Sequence, residues 1–337
     1  MALSSEEPLN VLDLPNVYQK PSYATLKEVL SRLKVKPPTW RGEELEAVLA
    51  EDTKAISSYL SIIASNPLKW FSNDADEDTA MERREEIWDE ASKRIAERCG
   101  RSAMPEMIRD WKIPGSSTCP SISLQIREPP LTGDNLGFKT WGTAFTMAKE
   151  LEDLQAKYLQ HIFARERSEQ LSVLELGSGT GLVGLAAAAI WQCEVVLTDL
   201  PEICQNLEKN AGDNSEVVEE RGGRIIVEPL DWTETQSKNI SYEIVIAADS
   251  LYDDEHPEMV ANMISQFLAR NQDSRALVAV PLRDGHTAKL AEDLEVLLNQ
   301  AGIGRLEAGE WICFDDWEAE GDANGVRCWW RIFGRLA

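Results

Sequence analysis

Histidine is scarce, with three residues in a chain of 337, and the six cysteines at 99, 119, 193, 204, 313 and 328 form no Cys-x-x-Cys pair. Neither a structural zinc site nor a disulfide framework is expected from such spacing. Basic residues are few as well, 34 against 58 acidic ones, giving a formal charge of −24. A nucleic-acid backbone would be repelled over most of such a surface, which makes a nucleic acid an unfavoured direct substrate and a basic protein the more natural partner. No apolar run approaches the length needed to span a bilayer, so no membrane association is expected. The start, Met-Ala-Leu-Ser-Ser-Glu-Glu, lacks a basic stretch followed by an apolar one, and a cytoplasmic location is expected. What is present is a hydrophobic content of 43% with 11 tryptophans. A chain of this size buries a proper core as one large domain or two smaller ones.

Periodicity divides the chain in two. Leu26, Val29, Leu30 and Leu33 share one helical face, Ile56, Tyr59, Leu60 and Ile63 another, and Pro37-Pro38 separates the two helices. After an acidic stretch from Asp74 to Asp78, Ile87, Ala91 and Ile95 mark a third helix, and Met104 to Trp111 reads as a short further one. Pro114 to Pro120 reads as a linker. The boundary therefore falls between an N-terminal helical domain, 1–115, and a second domain, 120–337.

From Ser121 onward strands and helices alternate. A short strand at 121–126 and a long helix at 140–161 precede strands at 171–176, 194–198, 224–229, 243–248 and 276–280, with helical stretches between most of them. This is the pattern of a doubly wound, parallel α/β sheet. Gly309–Cys313 and Arg327–Phe333 flank an acidic loop, Asp315 to Asp322, and suit a hairpin.

Residues 173–184, Val-Leu-Glu-Leu-Gly-Ser-Gly-Thr-Gly-Leu-Val-Gly, run from an apolar strand through a glycine-rich turn into a helix. Gly177, Gly179 and Gly181, with Ser178 between them, let the chain bend sharply and let a ligand approach the backbone. Glu194-Val-Val-Leu-Thr-Asp199 is a second strand ending in a carboxylate suited to two ribose hydroxyls. Gly179, Gly181 and Gly184 also satisfy the Gly-x-Gly-x-x-Gly of a dinucleotide site. Glu175, however, sets a carboxylate where a pyrophosphate would be repelled, and suits the ammonium and sulfonium of S-adenosylmethionine better.

With Thr-Asp-Leu-Pro at 198–201, Leu-Asp-Trp at 230–232 and Ala-Asp-Ser-Leu-Tyr at 248–252, the chain resembles the seven-β-strand protein-lysine methyltransferases of the family-16, Asp-x-x-Tyr group. The resemblance covers residues 120–335 or so. Residues 127–142, Arg-Glu-Pro-Pro-Leu-Thr-Gly-Asp-Asn-Leu-Gly-Phe-Lys-Thr-Trp-Gly, are similar to the fungal branch that modifies translation elongation factor 2. It implies a Rossmann-like seven-stranded sheet closed by an antiparallel strand. It also implies S-adenosylmethionine as cofactor and a protein substrate, with elongation factor 2 favoured. Glu175, Gly177, Ser178, Gly179, Gly181, Asp199 and Leu200 would hold the cofactor, joined through the resemblance by Trp141, Asp231, Trp232 and Ala248. Asp249 and Tyr252 are the candidate catalytic residues, a carboxylate to attract and orient a lysine and an aromatic ring to pack on its stem. Asp249 also suits the role of a helix cap. The alternatives are an RNA or small-molecule methyltransferase, an NAD oxidoreductase, and a non-catalytic S-adenosylmethionine-binding regulator. The N-terminal domain carries no catalytic constellation and would serve either as a substrate-docking module or as a buttress.

Overall fold

The structure, a computed structural model, describes residues 14–35, 50–73, 75–99, 106–116, 119–130, 136–164, 171–234, 240–314 and 325–336. Contacts divide the chain into two units, Met1–Met107 and Ile108–Ala337. In the first unit, α1 (Tyr23–Arg32) opens on Ser22, whose hydroxyl accepts from the Thr25 N–H. Helix α2 spans Ala50–Ser65. Helix α3 (Glu77–Ala96) opens on Asp76, with Glu77 and Asp78 in its first turn and Lys93 and Arg94 in its last, a distribution that complements the helix dipole. The expected faces close one core: Leu26, Val29, Leu30 and Leu33 meet Ile56, Leu60 and Ile63 and, from α3, Ile87 and Ala91. The Pro37-Pro38 break lies outside the described residues.

One element differs from its expectation. Met107–Ile113 is a strand, β1, not a helix, and it pairs with β2 (Ile122–Glu128) in a two-stranded sheet. Arg109, Trp111 and Ile113 are its buried residues, a period of two. The apolar set Met104, Met107, Ile108 and Trp111 mimics a helical stripe, and the buried Arg109, 3.7 Å from Glu128, hides the alternation.

The main sheet has seven strands in the order β5-β4-β3-β6-β7-β9-β8. Strands β3 (Ser172–Leu176), β4 (Glu194–Asp199), β5 (Arg224–Pro229), β6 (Ile244–Ala248) and β7 (Arg275–Pro281) are parallel. β8 (Ile303–Cys313) and β9 (Val326–Arg335) form the expected hairpin, with β9 antiparallel to β7. The expected long helix is α4 (Gly142–Leu154) running through a π turn, Gln155–Leu159, into α5 (Gln160–Phe163). Helices α6 (Leu182–Trp191), α7 (Pro201–Asp213), α8 (Ser215–Glu219), α9 (His256–Phe267) and α10 (Gly285–Gln300) complete the unit. The inner strands are near-continuous apolar runs because a doubly wound sheet is covered on both faces. This is the Rossmann-like α/β fold. β3 lies between β4 and β6, so the strand order reverses there, and in such sheets the crevice beyond the strand ends at that point is where ligands bind. No helix among the described residues is long and apolar enough to cross a membrane.

Candidate active site

The glycine turn follows β3 directly. Gly177, Gly179 and Gly181 have φ of 64°, 55° and 88°, a region that side-chain-bearing residues rarely adopt. A Cβ on Gly177 would lie 3.1 Å from the Trp232 ring, so the close approach of that indole also depends on glycine. Ser178 ties the turn to β4: its N–H donates to the Thr198 carbonyl at 2.9 Å and its hydroxyl accepts from the Thr198 N–H at 3.1 Å. Thr140 Oγ1 and Thr180 Oγ1 lie 2.8 Å apart, which holds the segment bearing Trp141 against the same turn.

The two carboxylates singled out in the sequence sit at different depths. Asp199 spans the turn, accepting from the Gly179 N–H at 2.7 Å and the Leu200 N–H at 2.8 Å, and burial raises its carboxyl above the usual range. Glu175 is only 2% exposed. Its Oε2 accepts from the Gly184 N–H in the first turn of α6 at 3.1 Å. Its carboxyl therefore lies beneath the turn rather than on a flank, where it satisfies a backbone donor at the N-terminus of α6.

Burial pushes the Glu175 carboxyl up to about 8. A raised carboxyl favours the folded state fully below its ordinary range, and that contribution is lost as pH climbs to about 8. Cofactor-free protein is expected to lose on the order of a few kcal/mol from this group between about pH 5 and 8.5. Glu175→Gln keeps an acceptor for Gly184 and should flatten that fall. Thermal melts across the range check it, and an unchanged slope would show that Glu175 does not titrate there.

Beyond β5, Asp231 accepts from the Thr233 N–H and hydroxyl at 2.8 and 2.7 Å, and these bonds lower its carboxyl. The bend they stabilise presents Trp232 to Gly177. Trp232 Nε1 and Ser250 Oγ are buried and have no hydrogen-bond partner among the described residues. Both residues pack carbon atoms against Gly177, the Trp232 ring at 3.1 Å and the Ser250 Cβ at 3.9 Å from where a Cβ would stand. An indole face, a glycine turn and a strand-end carboxylate fit the adenosine part of S-adenosylmethionine.

The second cluster follows β6. Ala248 ends that strand, and Asp249 turns with φ 56° while its N–H donates to the Ala279 carbonyl of β7 at 2.9 Å. Aspartate tolerates this left-handed conformation better than most residues. Asp249, Tyr252, Trp141, Leu136 and Arg283 line one cavity of about 290 Å³. The Asp249 side chain is 4% exposed, and the ring of Tyr252 stands at the mouth, with the residue 53% exposed. Partial burial and then the carboxylates of Asp199, Asp253 and Asp249 push the Tyr252 phenol up, which keeps it neutral.

Arg283 and His256 belong to this cluster and were not singled out in the sequence. Arg283 bonds both carboxylate oxygens of Asp249, at 3.1 and 2.9 Å. His256 Nδ1 accepts from the Tyr252 N–H at 3.3 Å. Its ring packs edge-on to Tyr252 at 4.2 Å and to Trp232 at 5.9 Å. Burial lowers its imidazole, which suits a neutral ring bridging the two halves of the site. The available signal was positional: both follow strand ends on the crevice side, His256 opening α9 and Arg283 preceding α10.

Residues 119–295 match the lysine methyltransferase family. Over 328 residues the chain is 31% identical to the protein-lysine N-methyltransferase rrg1 of Schizosaccharomyces pombe, covering 94% of this chain and 96% of that one. The chain belongs to the lysine methyltransferase family. This methyltransferase is also 36% identical over 252 residues to the protein-lysine N-methyltransferase EFM2 of Saccharomyces cerevisiae, with 70% of the chain aligned. The matched part spans 57% of that relative's length. Among solved structures, a putative RNA methyltransferase from Pyrococcus horikoshii is 15% identical, with a TM-score of 0.43, over 61% of this chain and 91% of that one. The family is one of S-adenosylmethionine-dependent protein-lysine N-methyltransferases.

Proposed function

We propose that this lysine methyltransferase modifies elongation factor 2. The observation that carries the protein-lysine reading is the cavity just past the ends of β6 and β7, with a buried carboxylate, Asp249, and a half-exposed aromatic ring, Tyr252, in its lining. A lysine entering it would lay its alkyl stem along the Tyr252 ring and bring its amine to Asp249. Elongation factor 2 is favoured by the similarity of residues 127–142, and the net charge of −24 suits a basic protein surface.

Bound S-adenosylmethionine supplies a methyl group on a sulfonium, already activated for in-line displacement. The chain's own tasks are alignment and exclusion of water. Asp199 and Leu200 would fix the ribose end, Trp232 with Asp231 the adenine, and the turn at Gly177, Ser178, Gly179 and Gly181 would let the backbone approach. Glu175, protonated near neutral pH in the cofactor-free chain, would become a favourable negative charge beneath the turn once the cofactor's cationic end draws off its proton, and Trp141 and Ala248 would close the side facing the cavity. Asp249 accepts an amine N–H and so points the nitrogen lone pair at the methyl carbon. The cofactor would supply the methyl, its S–C bond electrons staying on sulfur as the lysine nitrogen takes the carbon, and the amine would give up its proton to solvent.

Tritiated S-adenosylmethionine and a fungal extract, separated into protein and RNA after reaction, test the assignment. One labelled band of the size of elongation factor 2, absent with Asp249→Ala, is expected. Label confined to RNA would move the activity to nucleic acid, and no label despite cofactor binding would make the protein a regulator. We further propose that the N-terminal helical unit docks the substrate. Deleting residues 1–106 should then raise KM for whole elongation factor 2 about tenfold while leaving cofactor affinity unchanged. Unaltered methylation would exclude docking.

A further inference from the structure

Strand β2 has β1 beside it in a sheet of two, and side chains of a helix meet its backbone as well. Asn206 and Asn210 on α7 and Asn214 at its C-terminal cap are all buried, although asparagine is a residue of surfaces. Four helical residues rise about 6.0 Å and two strand residues about 6.7 Å, so amides at i, i+4 and i+8 keep step with alternate residues of a strand laid alongside. A primary amide carries a donor and an acceptor together and so copies the peptide group of a neighbouring strand. Asn214 Oδ1 accepts from the Gln125 N–H at 2.8 Å while its Nδ2 donates to the Gln125 carbonyl at 2.7 Å. Two strand residues on, Asn210 repeats the exchange with Arg127 at 2.9 and 3.1 Å, and Asn206 Nδ2 adds a bond to the same carbonyl at 3.1 Å.

Asn210 makes one bond that the other two do not. Its Nδ2 also donates to the Thr180 carbonyl at 2.9 Å, inside the glycine turn. A turn with left-handed glycines at 177, 179 and 181 has little stiffness of its own, so its shape is set by what grips it. Asp199 takes the Gly179 N–H, Ser178 is bonded to Thr198, and Thr140 meets the Thr180 hydroxyl. None of these holds the peptide between Thr180 and Gly181. That peptide is fixed at both of its polar ends: the Thr180 carbonyl by Asn210, and the Gly181 N–H by its bond to the Ser178 carbonyl at 2.8 Å. A peptide plane is rigid, so with both ends bonded it cannot flip without breaking both.

We propose that Asn210 is a positioning residue of the cofactor site: by pinning the Thr180–Gly181 peptide to strand β2, it holds the glycine turn in the shape that S-adenosylmethionine binds. Cofactor affinity then depends on a strand outside the main sheet, because a turn already shaped spares the ligand the cost of ordering it. This rests on the glycine turn being the cofactor's seat.

The ladder contains its own control, since Asn214→Ala removes the same kind of strand contact without touching the turn. The test is calorimetry of S-adenosylhomocysteine binding to wild type, Asn210→Ala and Asn214→Ala, each with a thermal melt. Both variants should melt at a lower temperature, and Asn210→Ala alone should lose affinity, by about five- to tenfold. Amide hydrogen exchange in the wild type, followed by NMR with and without S-adenosylhomocysteine, gives a readout that does not depend on a variant folding. The Arg127 N–H, bonded to Asn210, should gain protection on binding several-fold more than the Gln125 N–H, bonded to Asn214. Full affinity in Asn210→Ala, an equal loss in Asn214→Ala, or exchange at Arg127 and Gln125 that responds alike would overturn the proposal. Gly179→Ala strains the turn directly, since φ is 55° there. Unaltered affinity in that variant is a different result: it removes the underlying reading of the turn, whatever Asn210 does.

Discussion

Asp249→Ala is expected to bring methyl transfer down by at least about a hundredfold while S-adenosylmethionine binds as before. The first half follows from geometry. Asp249 is the carboxylate lining the cavity, and its position is fixed three ways: by the bond from its N–H to the β7 carbonyl of Ala279, by its left-handed backbone and by the fork from Arg283. Its loss frees the amine to tumble, and misplacement of reacting atoms by about 1 Å costs rates of that order. The second half follows from separation of tasks, since the glycine turn, Asp199 and Trp232, the proposed cofactor contacts, stand at the ends of β3, β4 and β5. The fold should tolerate the change. Arg283 is 29% exposed and can be rehydrated, and alanine in a left-handed conformation costs only about 1–2 kcal/mol. Asp249→Asn, which keeps both shape and backbone preference, separates that strain from the loss of charge. Turnover with tritiated cofactor and calorimetry of cofactor binding give the two readouts. Retained turnover would take Asp249 out of the mechanism.

Asp199→Ala is expected to do the reverse, weakening cofactor binding about tenfold to several hundredfold with kcat largely recovered at saturating cofactor. Hydrogen bonds to a charged group contribute about 1.5–3 kcal/mol each, and every 1.4 kcal/mol is a factor of ten. The carboxylate acts twice. It would accept from the ribose hydroxyls, and in the folded chain it already ties the Gly179 and Leu200 N–H groups together, so that its removal also loosens the turn. Asp199→Asn retains one acceptor oxygen for that tether, and a smaller loss in Asn than in Ala would measure it. Calorimetry decides: an unchanged affinity in Asp199→Ala would mean that the ribose contact lies elsewhere.

Much of the fold was legible because its signals are local. A parallel strand buried on both faces must be apolar, so 171–176, 194–198, 243–248 and 276–280 stand out, while the edge strand at 224–229 shows through its Ile225-Ile226-Val227 run, and the observed strands agree within a residue or two. The glycine turn was equally plain, since three closely spaced left-handed φ values leave few alternatives to glycine. Where local signals mislead, the cause is visible. β1 read as a helix because its buried Arg109 is polar by type and apolar only by environment. β8 was read as beginning at Gly309 although it starts at Ile303, because residues 305–308 face solvent on an edge strand and are interrupted by a bulge between Arg305 and Glu307.

The sequence by itself determined the fold class, the glycine turn with its strand-end Asp199, and the Asp249–Tyr252 pair, since each is written in contiguous residues whose spacing has a direct physical meaning. Tertiary structure decided what those residues face. It put the Glu175 carboxylate under α6 instead of on a flank, set Trp232 against Gly177, bridged Trp232 and Tyr252 with His256, and forked Arg283 onto Asp249 from 34 residues away. The reason is the sheet. β6 and β7 are neighbours through hydrogen bonding in a fixed register, Ala248 beside Ala279, so the residues just past their ends meet over one cavity. A long-range pairing of this kind leaves no periodic trace along the chain, and the meeting of Arg283 with Asp249 is therefore a property of the folded molecule.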